Sequence, residues 1–203
     1  MGGVAADPRG AGLITAEMQI IVLAAGGGAR SANAPGPDRP ALQLMLSRAT
    51  ALAGHAVTVV LGAQAAESAP ALGRLPVSLV VSRDWGEGIA ASIRAGLQSL
   101  PGSCAAALLL RADQGAVTSA DLQRLADSWR RNPRAIAAAQ HGGRYGLPAI
   151  FPRAEFPALL RLRGDEDADL LLRSPAAGVI GVPMPGAAAE ADRPAAPGVA
   201  IEP

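Results

Sequence analysis

Short apolar runs recur along the chain at Gln19–Ala24, Val57–Gly62, Val77–Ser82, Ala105–Leu110 and Ala135–Ala139. Each is too short for a stable helix, and most lack polar alternation, which is how strands buried on both faces of a sheet read. Between them lie segments with helical spacing at about 41–53, 89–99, 119–131 and 154–161, the third opening on Thr118 or Ser119 as N-cap. Alternation of this kind predicts a three-layer α/β/α sandwich with a mostly parallel sheet, Rossmann-like in arrangement. Ligands of such sheets bind at the carboxyl ends of the strands, so function is sought in the loops that follow the runs.

The 203 residues suffice for one domain with a sizeable core. Residues 1–17 are small and unpatterned and read as a disordered leader. One folded domain is expected over 18–185, and 186–203 reads as an Ala/Pro-rich tail. A net charge of +1 gives no reason to expect nucleic acid or an acidic membrane as partner. One cysteine, Cys104, cannot form an internal disulfide, and two histidines are too few for a Cys/His zinc centre. No apolar run is long enough for a membrane span and no signal-peptide pattern opens the chain, so a cytoplasmic location is expected. All eighteen basic side chains are arginines. Without lysine, a GxxxxGK[ST] phosphate loop, a Schiff-base enzyme and a lysine general base are excluded; a GC-rich genome would give the same bias.

Three segments carry candidate chemistry. The first strand runs into Leu23-Ala-Ala-Gly-Gly-Gly-Ala-Arg30, where Gly26, Gly27 and Gly28 let backbone amides close on an anion and Arg30 adds a fork-shaped cation. A plain tight turn is the commoner meaning of such a run, and with Ser31 where a third glycine belongs it does not spell the dinucleotide fingerprint. Asp113 follows the Leu108–Leu110 run, so its carboxylate emerges at a strand end, suited to Mg²⁺ or to a turn or helix cap. The Gly86-Glu-Gly88 turn opens a helix whose amides, with Ser92 and Arg94, suit a nucleotide; equally, Ile89, Ile93 and Leu97 make a core stripe and Arg94 points to water. His141 reads as a solvated loop residue and Cys104 as a small core hydrophobe.

Taken together, these segments resemble the molybdenum cofactor cytidylyltransferases of the NTP-transferase (nucleotidyltransferase) family. The resemblance rests on Leu23–Arg30, Val59–Ala63, Arg83–Leu97, Arg111–Thr118, Gly143–Phe151 and Leu162–Asp165, in the family's order over about residues 19–173. It implies transfer of CMP from CTP, or of GMP from GTP, to molybdopterin or a related phosphorylated acceptor, with pyrophosphate leaving and Mg²⁺ required. By resemblance Ala24, Ala25, Gly26, Gly27, Gly28, Gly62, Gly88 and Ser92 bind the nucleotide, with Arg30 and Arg39 as catalytic cations. Asp113 holds the metal, and Gly146, Pro148 and Asp165 receive the acceptor, Gly146-Leu-Pro148 resembling the family's Gly-x-Pro turn. A molybdoenzyme or its maturation factor is the implied protein partner. Sugar-phosphate nucleotidyl transfer is a further reaction of this fold, less similar in the 84–97 block.

The chain departs from the family at polar positions. Past its arginine the family reads Met-Gly-x-Pro-Lys, and here Arg30 to Pro40 offers only Arg39 in place of that lysine. Asp-Gln-Pro becomes Asp113-Gln-Gly115, and Gly-Asp-x-Gly-Ala-Arg becomes Gly164-Asp-Glu-Asp-Ala-Asp169, an acid where a base stands. The usual Asp-Ile-Asp-Thr-Pro close has only Gly198–Pro203 as a faint counterpart. Removing a transition-state cation costs orders of magnitude in rate, so activity is expected to be reduced or lost. The alternative is an inactive relative that binds nucleotide or molybdopterin as a molybdoenzyme maturation partner.

Overall fold

A computed structural model describes residues 18–24, 39–62, 65–173 and 178–187. The strands are β1 (Met18–Ala24), β2 (Val57–Leu61), β3 (Ser78–Val81), β4 (Ala106–Arg111), β5 (Ile136–His141), β6 (Arg144–Pro152) and β7 (Val179–Pro183). The helices are α1 (Arg39–Ala53), α2 (Ala65–Leu72), α3 (Ile89–Gln98), α4 (Ser119–Arg131), α5 (Phe156–Leu159) and α6 (Asp169–Leu172). The strands form one seven-stranded sheet in the order β3-β2-β1-β4-β6-β5-β7, parallel except for β6, which runs antiparallel to both β4 and β5.

Successive residues of the central strands enter opposite cores, which is why these strands read as unbroken apolar runs. Ile20 and Val22 of β1 and Leu108 and Leu110 of β4 pack with Leu42, Met45, Leu46, Leu122, Leu125 and Trp129 on one face. Ile21, Leu23, Ala107 and Leu109 pack with Ile93, Leu97, Phe156 and Leu159 on the other. Each face is thus covered by helices, giving the expected three-layer α/β/α sandwich. The α3 helix lies so close to the sheet that a Cβ on Gly96 would stand 2.7 Å from Ile21 Cγ2, leaving room for glycine alone. Cys104 is buried in the second core, as the sequence suggests.

Several parts differ from the sequence expectation: α2 and α6 were not expected, and β3, read as buried on both faces, is a half-exposed edge strand. The expected helix at 154–161 is a 3₁₀ turn, Arg153–Glu155, followed by the single turn α5, with Pro157 near its start. Strands β6 and β7 were not legible. Gly146-Leu-Pro148, expected as a turn, lies within β6, where pairing to β5 jumps from Ala138↔Ala149 to Ala139↔Gly146. Proline has no N–H for the ladder, so Leu147 and Pro148 fall outside that pairing. The short β7 carries Gly181 and Pro183 and is placed beside β5 only by tertiary pairing.

Candidate active site

The carboxyl ends of β2, β1 and β4 lie side by side, with Ala24 opposite Leu61 and Leu23 opposite Arg111. Ala24 and Gly62 therefore stand on adjacent strand ends. The Ala112 amide donates to the Leu23 carbonyl at 3.0 Å, which carries the chain past β4 so that Asp113 emerges beside the end of β1. Asp113 is not a helix cap. Thr118 caps α4, its hydroxyl accepting from the Asp121 amide while the Asp121 carboxylate accepts from the Thr118 amide, a complete capping box.

The loop after β4 is held from three directions. Arg48 of α1 donates to the Gly115 carbonyl at 2.7 Å and also to that of Val117. The buried Gln114 side chain donates to the Leu147 carbonyl at 2.7 Å and accepts from the Arg111 amide at 3.1 Å. Arg111 then grips Asp113 with a two-pronged fork, Nε to Oδ1 at 3.0 Å and Nη2 to Oδ2 at 2.8 Å. Its remaining Nη1 faces Asp167 at 3.9 Å.

Arg111 lines a cleft with Gln114, His141, Gly146, Asp167 and Asp169. The space above Gly146 is bounded by His141 Nε2 and Asp169 Oδ2, each 3.4 Å from where a Cβ would stand. His141, expected in solvent, is half-buried at the end of β5 because the β5–β6 turn folds it against Gly146. Burial pushes the Asp169 carboxyl up to about 6, and repulsion from Asp167 adds to this, while the Leu147 amide and Arg111 oppose it. Asp167 is likewise raised by burial, against the Ala168 amide and Arg111. The fork to Asp113 raises Arg111 further still. Asp169 Oδ1 is buried without a hydrogen-bond partner among the described residues.

The α3 entrance is a second locus. Gly88 has φ +102, and a Cβ there would lie 2.4 Å from the Gly164 carbonyl oxygen and 2.6 Å from Asp165 Oδ1. The Ala90 amide donates to that same carbonyl at 3.1 Å. Arg94, expected to point to water or to a nucleotide, is partly buried and already engaged; it donates to the Leu162 carbonyl at 2.7 Å and pairs with Glu87 at 3.0 Å. The Ser92 hydroxyl is buried and unpartnered among the described residues.

Of the expected site residues, Ala24, Gly62 and Asp113 gather at the strand ends, and Gly88 and Ser92 share the start of α3. Gly146 lines the cleft and Pro148 lies two residues along the same strand, whereas Asp165 leans over Gly88 instead. Ala25, Gly26, Gly27, Gly28 and Arg30 lie outside the described residues, as does the side chain of Arg39, whose backbone opens α1. Arg111, Gln114, Asp167 and Asp169 were missed. The acid run at 165–169 was the available signal, but its partner Arg111 is distant in sequence. Among the described residues no three His, Cys, Asp or Glu side chains are grouped to hold a metal ion. Asp113, expected as the metal ligand, stands as a single carboxylate with both oxygens accepting from Arg111.

Solved structures share this architecture. Rv0371c from Mycobacterium tuberculosis H37Rv superimposes with a TM-score of 0.71 at 25% identity, covering 84% of this chain and 89% of that one. Its complex with manganese gives 0.68 at 25% identity over the same shares. Molybdopterin-guanine dinucleotide biosynthesis protein A from Archaeoglobus fulgidus gives 0.59 at 16% identity, covering 82% of this chain and 83% of that one, a likeness of fold. No curated protein gives a significant sequence match. The family model of the MobA-like NTP transferase domain matches residues 20–179, from β1 to the start of β7. By that match over most of its length, the chain belongs to the MobA-like NTP transferase family.

Proposed function

We propose that the protein transfers CMP from CTP to a molybdopterin-type phosphorylated acceptor, with pyrophosphate leaving. The observation that carries this reading is the position of Asp113, a carboxylate at the end of β4 between the end of β1 and the cleft at Gly146. The Ala24–Gly28 backbone with Arg30 and Arg39 holds the triphosphate; Gly62, Gly88 and Ser92 border the nucleoside; Gly146, Pro148 and Asp165 position the acceptor. An acceptor phosphate oxygen bonds to the α-phosphorus of CTP as the bond to the β-phosphate oxygen breaks. Asp113 holds Mg²⁺, which when bound neutralises phosphate charge. The manganese complex of Rv0371c supports use of a divalent ion by proteins of this kind. With arginine in place of the family lysine, turnover is about 10²–10³-fold slower than at a complete site.

A second reading, nucleotide or molybdopterin binding without turnover in the service of molybdoenzyme maturation, is favoured by the Arg111 fork on Asp113 and the acid at 169. Purified protein with Mg²⁺, molybdopterin and either CTP or GTP separates the two. Acceptor-dependent pyrophosphate release, faster with CTP, supports transfer; nucleotide binding with no pyrophosphate supports the second reading.

A further inference from the structure

Three carboxylates surround the one guanidinium of Arg111: Asp167 and Asp169, which line the cleft with it, and Asp113 at the end of β4. All three acids act on that guanidinium, yet its fork serves Asp113 alone. The Arg111 backbone is fixed, in register with Leu23 and donating to Gln114, so only its side chain is free to redistribute. Nη1 already faces Asp167 at 3.9 Å, beyond hydrogen-bond length, and Asp169 Oδ1 has no partner among the described residues. Both oxygens of Asp113 are occupied, so a cation can reach them only by taking the place of the fork. A divalent cation added to Arg111 would bring the charge of the three acids to balance.

We propose that Arg111 is a positioning residue that competes with a divalent cation for Asp113, and that on losing this contest it passes its fork to Asp167 and Asp169. This rests on the reading of Asp113 as the metal ligand. Metal loading then strengthens neutralisation of the cleft acids: Arg111, which already acts on Asp167 and Asp169, screens them more fully when Asp113 is metal-bound. A phosphorylated acceptor therefore meets a less acidic cleft after metal binding than before it.

The test is Mn²⁺ affinity, read by water proton relaxation on the full chain saturated with a non-hydrolysable CTP analogue, in wild type, Arg111→Met, Asp113→Asn and the double variant. Arg111→Met is expected to tighten Mn²⁺ binding at least tenfold, and on the Asp113→Asn background to change it little. Arg111→Lys, which keeps the charge and loses the fork, is expected to give a smaller gain and serves if the methionine variant fails to fold. Unchanged or weaker binding in the Arg111 variants, or an equal gain with Asp113 already replaced, overturns the proposal. If Asp113→Asn alone leaves wild-type Mn²⁺ affinity intact, the metal reading itself falls; if it weakens binding while Arg111 variants gain nothing, only the competition falls.

Discussion

Burial gives the Asp169 carboxyl a value of about 6 against an ordinary 3.8. Between about pH 4 and 6 the folded protein holds a proton that the unfolded chain has released. Stability therefore falls as pH rises through that window, and the penalty is complete above about 6. Asp169→Asn, which keeps the shape and removes the charge, is expected to stabilise the protein at pH 7 by on the order of 2 kcal/mol and to flatten the slope between pH 4 and 6. Urea unfolding at pH 4.5 and 7 checks this; a variant no more stable than wild type at pH 7 would mean the carboxylate is well solvated. At this scale the sequence was partly legible. Asp113 could be placed because a strand delivers it, but the role of Arg111 depends on acids that lie more than fifty positions away and meet it only in the fold.

Among the elements, β1, β2 and β4 were readable because both faces of each are buried, leaving an unbroken apolar pattern. β6 and β7 were not, because Pro148, Gly181 and Pro183 look like breakers until their neighbours are known. Gly88 shows how one residue joins two elements. It turns the chain into α3 at a positive φ and lies against Gly164 and Asp165; Ala90 binds the Gly164 carbonyl, and Arg94 holds Leu162 just before it. Gly88→Ala combines an unfavourable backbone region with a backbone clash and is expected to destabilise by at least about 2 kcal/mol. Gly86→Ala, with nothing within 4 Å of the added carbon, is its control and is expected to be nearly neutral. Equal urea midpoints for the two variants would show that the 164–165 loop yields freely.

At the scale of the whole molecule, the two apolar cores lie on opposite faces of one sheet and share its strands, so neither can be lost alone. The domain expected at 18–185 should unfold in one calorimetric transition with matching calorimetric and van't Hoff enthalpies. Two separated transitions would divide it. The same sheet sets the functional geometry: parallel strands bring Ala24, Gly62 and Asp113 to one edge, and the antiparallel β6 brings Gly146 to the cleft beside them. Rv0371c and the molybdopterin-guanine dinucleotide protein share that fold. The central claim is transfer through Asp113, and the most direct measurement follows the α-phosphate of labelled CTP into molybdopterin with Mg²⁺ present. Label is expected in the acceptor, in step with pyrophosphate, for wild type and not for Asp113→Asn; bound CTP whose label never leaves the nucleotide, or equal transfer by both proteins, would contradict it.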